Sequence, residues 1–441
     1  MIMYSLRELS LEAKVAVGSG VVFFSMLISR TLISESVDMD TRAALYRAQF
    51  LLFINSVMLI ASLYVWRRMT GNLCRVRRVS QRLLRCWKML VLLFLVLSHS
   101  SYVTMFYLVA EEPHWVAMLS FTCLGSYIIL LFFLFLFSCV EQCHRLVTRR
   151  AAVSDTSTAD SGSRAKVALA LALTLVLTAL GLLNAARPPV VVRVEVPVDK
   201  LSPSFDNLKL VLLSDIHLGP TVGKSRLEMV VAMVNELQPD IVVIVGDLAD
   251  SQVSRLKSVA EPLRRMGSRL GTFFVTGNHD YYTADVDSWL GYLRTLNVMP
   301  LHNANARISA SEQSKEWFCL AGVDDLEARL FKYPGHGMDL TRALSGCDPD
   351  RAIILLAHQP LAAKRALQER PEISLVLSGH THAGQIFPLS IMAYLVNPFF
   401  SGLYRVGNRS FVYVTPGTVY YGIPMRIGST AQITEIILKT P

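Results

Sequence analysis

Side chains that could bind divalent metals follow five short apolar runs in the second half of the chain. The runs are rich in leucine and β-branched residues, which is typical of buried strands. They lead into Asp215-Ile-His217, Gly246-Asp247, Gly277-Asn278-His279-Asp280, Ala357-His358 and Gly379-His380-Thr-His382. Ligand sites of open α/β sheets form beyond the carboxyl ends of the strands. We therefore expect these side chains to line one crevice.

The residue types favour a centre that binds two metal ions. Carboxylate oxygens and imidazole nitrogens suit Mn, Fe, Zn or Co, and the motifs contain no cysteine for a thiolate site. A lone histidine after a strand is usually structural, but the ordered set has more donors than one ion needs. Two ions about 3.5–4 Å apart, bridged by a carboxylate, clamp the attacking and leaving oxygens of a phosphoryl group. The glycines before Asp247, Asn278 and His380 are expected to allow sharp turns.

Strands and helices that alternate along residues 187–441 must position these motifs. The amphipathic stretches 226–237 and 253–266 separate the first three runs, which predicts an α/β domain with helices covering a sheet. Residues 190–198 are predicted to be the strand that enters this domain. The two cysteines of this predicted domain, Cys319 and Cys347, could form a disulfide or stay reduced, and the sequence leaves both possibilities open.

The first 186 residues have a different composition. The whole chain of 441 residues is 52% hydrophobic and only 17% charged, whereas an average soluble domain is roughly 45–50% apolar and about 25% charged. A bilayer-spanning helix needs about 20 apolar residues. About five such helices are predicted, the first of them the weakest, at 15–33, 48–66, 89–110, 113–140 and 167–186. Residues 1–186 are thus predicted to be a multi-pass integral membrane domain.

Positive charge indicates which side of the membrane each loop faces. Residues 1–186 contain 18 Lys and Arg against 10 Asp and Glu, whereas residues 187–441 contain 25 against 24. Basic residues crowd the loops after the second and fourth spans, while the turn after the third has only Glu111 and Glu112. Because Lys and Arg concentrate in cytoplasmic loops, the domain after the last span is predicted to be exoplasmic, either lumenal or extracellular. Its near-neutral charge argues against a nucleic-acid partner.

The order of the five motifs resembles the calcineurin-like metallophosphoesterase family. The run 379–386 and the segment 422–426 are similar to a subgroup of membrane-associated or exported phosphohydrolases, and the resemblance covers about residues 205–438. It implies a four-layer α/β/β/α sandwich, with two mixed sheets between helices. Two positions depart from the subgroup: Ala383 stands where it often has glycine, and Pro416-Gly417 where it often has Arg-Gly.

The resemblance also implies a role for each candidate residue. The ligands of one metal would be Asp215, His217 and His382. The ligands of the other would be Asn278, His358 and His380. Asp247 would bridge both ions, and a hydroxide between them would be the nucleophile. His279 would stabilise the phosphoryl oxygens or protonate the leaving group, with Asp280 orienting it.

Together these observations predict a membrane-anchored, metal-dependent phosphoesterase that hydrolyses a phosphomonoester or phosphodiester. Attachment of the site beside a bilayer makes lipid-linked phosphoesters an attractive substrate class, as a hypothesis from geometry alone. The alternative is a membrane transporter or sensor whose phosphoesterase-like domain is regulatory or catalytically silent. The spans have almost no ionisable residues apart from His99, which argues against a substrate path through them.

Overall fold

The computed structural model describes residues 10–32, 37–71, 80–147, 156–311 and 313–441. The chain divides into two compact units. Unit 1 comprises Met1–Thr104 and Leu119–Ala179, and unit 2 comprises Met105–Met118 and Leu180–Pro441. Unit 2 therefore includes short terminal pieces of the long helices given next. The division into domains 1–186 and 187–441 remains our proposal.

Five long helices form the first part of the chain. They are α1 (Leu11–Leu32), α2 (Met39–Gly71), α3 (Gln81–Tyr107), α4 (Trp115–Val147) and α5 (Thr156–Ala186). Each contains a stretch long and apolar enough to cross a membrane, so the prediction of five such helices is confirmed. Helix α3 ends earlier and α4 begins later than predicted, because Pro113 disfavours helical geometry at the residue before it. Of the predicted spans and basic loops, position 33 and Arg75, Arg77, Arg78, Arg149 and Arg150 lie outside the described residues.

His99 links two of these helices within unit 1. Its Nδ1 lies 2.7 Å from Asn55 Oδ1, and its Nε2 lies 2.9 Å from Ser62 Oγ. Both partners are on α2, whereas His99 is on α3. Polar side chains inside a bundle of apolar helices commonly pair in this way. Hydrogen bonds to α2 therefore give His99, the ionisable residue singled out in the spans, a structural role in holding two helices together.

Twelve strands of the described part of unit 2 form two six-stranded sheets. The strands are β1 (Val190–Pro197), β2 (Lys209–Leu213), β3 (Ile241–Val245), β4 (Thr272–Val275), β5 (Val298–Pro300), β6 (Ala304–Ser309), β7 (Trp317–Gly322), β8 (Ile353–Leu356), β9 (Leu375–Ser378), β10 (Gly402–Val406), β11 (Ser410–Val414) and β12 (Gln432–Lys439). Sheet 1 has the order β1-β12-β2-β3-β4-β5, and sheet 2 has the order β10-β11-β9-β8-β7-β6. Both sheets are mixed, because β12–β2, β10–β11 and β6–β7 are antiparallel pairs.

Helices and apolar cores complete the layers. The helices of unit 2 are α6 (Lys224–Glu236), α7 (Val253–Ala260), α8 (Asn278–Tyr282), α9 (Val286–Thr295), α10 (Leu340–Ala343), α11 (Pro360–Glu369) and α12 (Leu389–Val396). Alternate residues of β8 face opposite cores: Ile354 and Leu356 pack between the sheets, whereas Ile353 and Leu355 pack with residues of α10 and α11. This is the two-residue period of a strand buried on both faces. The predicted arrangement of helices around two packed sheets is confirmed.

Cys319 of β7 and Cys347 form a disulfide, with their Cα atoms 5.6 Å apart. That separation lies within the usual range for such bonds. Of the two possibilities that the sequence left open, the structure therefore has the paired one. The bond ties sheet 2 to the segment that follows α10.

The five metal-binding motifs follow strands of both sheets. β2, β3 and β4 belong to sheet 1, whereas β8 and β9 belong to sheet 2. Within each group the neighbouring strands are parallel, so their carboxyl ends lie at the same edge. The motifs consequently meet where the two packed sheets end side by side.

Candidate metal centre

The first group of candidate ligands brings together residues that follow β2 and β9. His217 Nε2 lies 3.1 Å from His382 Nε2, and His382 Nε2 lies 3.2 Å from Asp215 Oδ1. All three side chains are buried. Burial alone would raise the pKa of the Asp215 carboxyl, but His382 and His358 hold it well below its ordinary value. The group therefore presents an ionised oxygen and two ring nitrogens to one point.

The second group combines residues that follow β3, β4, β8 and β9. Asp247, His358 and His380 have donor atoms close enough to share a cation. Asn278 Oδ1 lies 2.9 Å from His380 Nδ1, while the Asn278 amide donates to the Tyr282 hydroxyl. Burial and the nearby His358 charge lower the pKa of His380 to about 4. His380 is therefore neutral, which is the form that binds metals.

Asp247 lies between the two groups. Its Oδ2 is 3.7 Å from His217 Nε2 and 3.2 Å from His358 Nε2. Its Oδ1 accepts a hydrogen bond from the backbone N–H of His279 at 2.8 Å. Burial favours the neutral acid, but His358 and His279 lower the pKa of Asp247 well below its ordinary value. One ionised carboxylate thus faces a ring nitrogen from each group.

The donor set, made of carboxylate oxygens and imidazole nitrogens, fits divalent metals. His358 Nδ1 lies 2.8 Å from the Val245 carbonyl, so this nitrogen carries the proton and donates it. His358 Nε2 is buried and faces Asp247 Oδ2 at 3.2 Å, with no other hydrogen-bond partner among the described residues. Burial opposes a charge on this ring, but Asp247 raises the pKa of His358 well above its ordinary value, so a metal ion would take the place of the Nε2 proton. A histidine anchored through one ring nitrogen with the other free is the usual arrangement of a metal ligand. The chain therefore has the chemistry to hold a cation at Asp247 and His358.

The role predicted for Asp280 needs correction. Its carboxylate accepts hydrogen bonds from the backbone N–H groups of Asp247, Leu248, Ala249 and Gly277. These bonds tie the turn after β3 to the turn after β4. The ring of His279 is instead oriented by Asp250, whose Oδ1 lies 2.9 Å from His279 Nδ1. The family resemblance implied Asp280 for this role, but helical geometry at α8 points adjacent side chains in different directions.

Asp250 also supports the first group of ligands, because its Oδ1 lies 3.1 Å from His217 Nδ1. Burial would raise the pKa of Asp250, but His217 and His279 lower it to about 2. Burial likewise opposes a charge on His279, yet Asp247 and Asp250 raise the pKa of that ring to about 9. One carboxylate thus orients a candidate ligand and keeps the candidate acid protonated at neutral pH.

Backbone conformation differs from what the glycines suggested. Only Gly246 of the three has a positive φ, of 78°. Gly277 and Gly379 are instead needed because there is no space for a side chain. A Cβ at Gly277 would lie 2.5 Å from the backbone N of Asp247. A Cβ at Gly379 would lie 2.5 Å from Asp215 Oδ2. Five of the candidate ligands are themselves in the left-handed region: Asp215, His217, Asp247, His380 and His382. Such conformations cost of order 1–3 kcal/mol each and cluster at functional sites.

Two further residues, Tyr421 and Arg426, lie at the centre, and no role was predicted for either from the sequence. The ring of Tyr421 lies 4.8 Å from the His217 ring and 4.3 Å from the His279 ring, between centroids. Arg426 is fully buried and donates to the carbonyls of His382, Pro416 and Val419. Burial lowers the pKa of Arg426 to about 10, against the opposing charge of Asp215. Arg426 ends the segment 422–426 that resembles the subgroup, and this was the one signal in the sequence that could have drawn attention to it.

His302 and His336 form a separate group with the buried Asp324. Both contact the buried Asp324, His302 Nδ1 at 2.7 Å and His336 Nδ1 at 3.5 Å. The Asp324 carboxylate also accepts from the Asn303 amide and the backbone N–H of Gly337. This second cluster is therefore satisfied by hydrogen bonds within the protein.

We expect Asp250→Asn to lower kcat about 10- to 100-fold, the usual cost of removing a residue that orients a metal ligand. The substitution keeps the volume of the side chain but removes the charge that holds the His217 and His279 rings. The measurement is steady-state kinetics together with metal content. The fall is expected in kcat more than in KM, because Asp250 acts through the candidate ligand His217 and the candidate acid His279.

Asp287→Asn is the matched control, since this exposed carboxylate contacts His336 Nε2 outside the centre. Its kcat is expected to equal that of the unchanged protein. An unchanged kcat for Asp250→Asn as well would contradict a positioning role for Asp250.

Comparison with known proteins shows what the chain is similar to. The family model for calcineurin-like phosphoesterases matches residues 208–384. A Danio rerio protein named transmembrane protein with metallophosphoesterase domain is 60% identical over 437 residues, 99% of this chain and 100% of its own. A Bos taurus protein of the same name is 55% identical over 437 residues, 98% of each chain. A Helicobacter pylori protein named uncharacterized metallophosphoesterase is 36% identical over 258 residues, 58% of this chain and 66% of its own.

The two vertebrate relatives match both the helical part and the sheets, whereas the bacterial one matches a shorter stretch. Since similarity extends along the whole length of the vertebrate proteins, the chain belongs to the family of transmembrane proteins with a calcineurin-like metallophosphoesterase domain.

Proposed function

We propose that unit 2 hydrolyses phosphomonoesters or phosphodiesters at a centre of two divalent ions. The observation that carries this proposal is the position of Asp247, whose one carboxylate faces His217 on one side and His358 on the other. A carboxylate shared in this way suits two ions that clamp a phosphoryl group. Asp215, His217 and His382 would hold one ion, and Asn278, His358 and His380 the other.

The remaining residues of the centre would act on the substrate directly. Bound divalent ions supply a nucleophilic water at neutral pH and neutralise charge on the phosphoryl oxygens. His279, kept protonated by Asp247 and Asp250, would donate a hydrogen bond to a phosphoryl oxygen or a proton to the leaving oxygen. Asp280 would hold the two turns that carry Asp247 and Asn278 in register.

Chelation of the purified full-length chain tests this proposal. Metal content and hydrolysis of p-nitrophenyl phosphate and bis(p-nitrophenyl) phosphate would be measured before and after chelator, and after return of Mn, Fe, Zn or Co. We expect activity to disappear with the metal and to return with at least one of these ions. Hydrolysis that persists without metal would refute the two-ion centre. A metal-loaded chain that hydrolyses neither ester would favour the alternative of a catalytically silent sensor.

We further infer that residues 187–441 of unit 2 are exoplasmic. The basic loops predict this side, and the Cys319–Cys347 disulfide supports it, because such bonds persist in oxidising compartments and are rare in the cytosol. Mass spectrometry of the non-reduced chain is expected to find a peptide that joins these two cysteines.

Protease treatment of intact cells or sealed organelle vesicles checks the sidedness independently. We expect unit 2 to be cleaved from outside intact cells if the protein is at the cell surface. In sealed vesicles whose lumen is exoplasmic, we expect it to be protected until detergent is added. The opposite pattern, with reduced cysteines, would place unit 2 in the cytosol.

A further inference from the structure

Helix α12 exposes an apolar surface that is unusual for a helix of a packed α/β domain. It has the sequence Leu-Ser-Ile-Met-Ala-Tyr-Leu-Val, contains no charged residue, and none of its residues is buried. Met392 is 58% exposed, and Leu395 and Val396 are each 70% exposed. Leaving apolar area in water costs roughly 25 cal/mol per Å². A contiguous surface of this kind usually marks a site of interaction with a protein or a membrane.

The helix is joined directly to the candidate metal centre. It begins seven residues after His382, and the tight turn at Gly384 has no room for a Cβ beside Ser390 of α12. The backbone N–H of Phe387, two residues before α12, donates to the Ile427 carbonyl at 3.1 Å. In return, the N–H of Ile427 donates to the Gln385 carbonyl at 2.9 Å. The base of α12 is therefore fixed to the loop that contains Ile427.

The same loop contacts the last turns of α5 inside unit 2. A Cβ at Gly181 would lie 2.9 Å from Ile427 Cγ1 and 3.0 Å from Met425 Cβ, so α5 and the loop are in close contact there. Asn184 on the next turn donates to the Arg426 carbonyl at 3.2 Å. Both α5 residues belong to the candidate membrane span Arg164–Ala186. Gly181 lies five residues before the end of that span, which is about 7.5 Å along the helix axis.

That distance matches the depth at which amphipathic helices lie in a membrane. Such helices bury an apolar face roughly 5–10 Å into the boundary between headgroups and acyl chains. A loop that contacts the span at this depth would lie at the membrane surface, and the segment that leads into α12 is hydrogen-bonded to that loop. Tyr421, whose ring lies beside the candidate centre, also contacts the end of a second candidate span. Its hydroxyl lies 3.6 Å from Met105 Sδ, in the part of α3 that belongs to unit 2.

We propose that α12 inserts into the adjacent leaflet of the bilayer, and that the metal centre accepts the phosphoester headgroup of a lipid from that leaflet. The second part rests on the proposed phosphoesterase function, whereas the insertion of α12 does not. The bilayer is the occupant favoured here because the helix is uncharged and is tied, through the loop that contains Ile427, to the last turns of a candidate span. A lipid whose acyl chains stay in the leaflet would present its headgroup beside α12, next to His382.

Insertion can be measured without any assay of activity. The five cysteines other than Cys319 and Cys347 are replaced by alanine, and a single cysteine at Leu395→Cys is labelled with the polarity-sensitive dye NBD. The full-length chain is then placed in nanodiscs with doxyl-labelled lipid. We expect blue-shifted emission that doxyl lipid quenches. The matched control is Met299→Cys on β5, which is 54% exposed and is expected to escape quenching.

Two results would overturn the insertion of α12. One is equal quenching, or none, at positions 395 and 299. The other is protection of position 395 only in nanodiscs that contain two copies of the chain, since a second copy would then cover the helix.

The substrate class is tested with Leu395→Glu and, as its control, Met299→Glu. Two probes are compared: phosphatidic acid in phosphatidylcholine vesicles that contain the full-length chain, and soluble p-nitrophenyl phosphate. We expect Leu395→Glu to lower hydrolysis of phosphatidic acid about tenfold or more, the equivalent of roughly 1.4 kcal/mol of lost apolar burial, and to leave the soluble ester unaffected. An equal effect on both probes, or no effect on either, would overturn the lipid substrate. If the unchanged chain hydrolyses neither probe, the proposed phosphoesterase function fails, and the quenching result stands by itself.

Discussion

Asp247→Asn is expected to lower the turnover of phosphoesters by at least about three orders of magnitude. The substitution keeps the size of the side chain but removes the charge that faces His217 Nε2 and His358 Nε2. A loss of roughly 4 kcal/mol of transition-state stabilisation corresponds to this factor. Metal content is expected to fall as well, because each ion would lose an anionic ligand. The measurements are kcat on both p-nitrophenyl esters and metal analysis of the same sample.

Asp240→Asn provides a matched control at the opposite end of the same strand. Asp240 precedes β3 and accepts hydrogen bonds from the Lys209 backbone and the Arg269 guanidinium, away from the candidate ligands. Turnover and metal content are expected to stay at the level of the unchanged protein. Full activity of Asp247→Asn with its metal retained would contradict a bridging role for this carboxylate.

The strand ends were predictable because each strand is short, apolar and immediately followed by polar residues. Each of the five apolar runs that lead into the motifs is a strand of the structure, namely β2, β3, β4, β8 and β9. Because each motif follows its strand along the chain, every motif lies at the carboxyl end of a strand. That the motifs come from two packed sheets was implied by the family resemblance, and no spacing in the sequence could have indicated it.

Side-chain partners at the centre were less predictable, since they depend on how separate loops are oriented. Asp280 is adjacent to His279 in sequence, yet Asp250 contacts the ring, because the turn after β3 passes beside α8. Arg426 is a single basic residue near the end of the chain, and only the fold shows that it is buried against the His382 backbone. The left-handed ligands were missed for the same reason: strain imposed by tertiary contacts leaves no pattern in residue types.

Gly277→Ala is expected to lower turnover by about 100-fold or more without changing any group that takes part in the chemistry. A Cβ at this position would overlap Asp247 Oδ1 and would lie 2.5 Å from the backbone N of Asp247. Because one of these atoms belongs to the backbone, a side-chain rotation cannot relieve the overlap, and the Asp247 carboxylate has to move. Displacement of a catalytic group by about 1 Å can cost roughly 100-fold in rate. The turnover of Gly277→Ala is measured at saturating metal concentration. A loss of rate that persists there results from the displaced carboxylate and not from loss of the ions.

Gly291→Ala is the control for the same change of side chain. Gly291 lies inside α9, and a Cβ there would have no atom within 4 Å. Its activity is expected to be unchanged, and its free energy of unfolding is expected to rise by roughly 0.5–1 kcal/mol, because alanine is the better helix former. If Gly277→Ala turned over at the rate of Gly291→Ala, the turn after β3 would be able to shift without consequence. The exact position of Asp247 would then not set the rate. Neither variant replaces a candidate ligand, so this pair tests whether turnover depends on where the ligands lie as well as on which ligands are present.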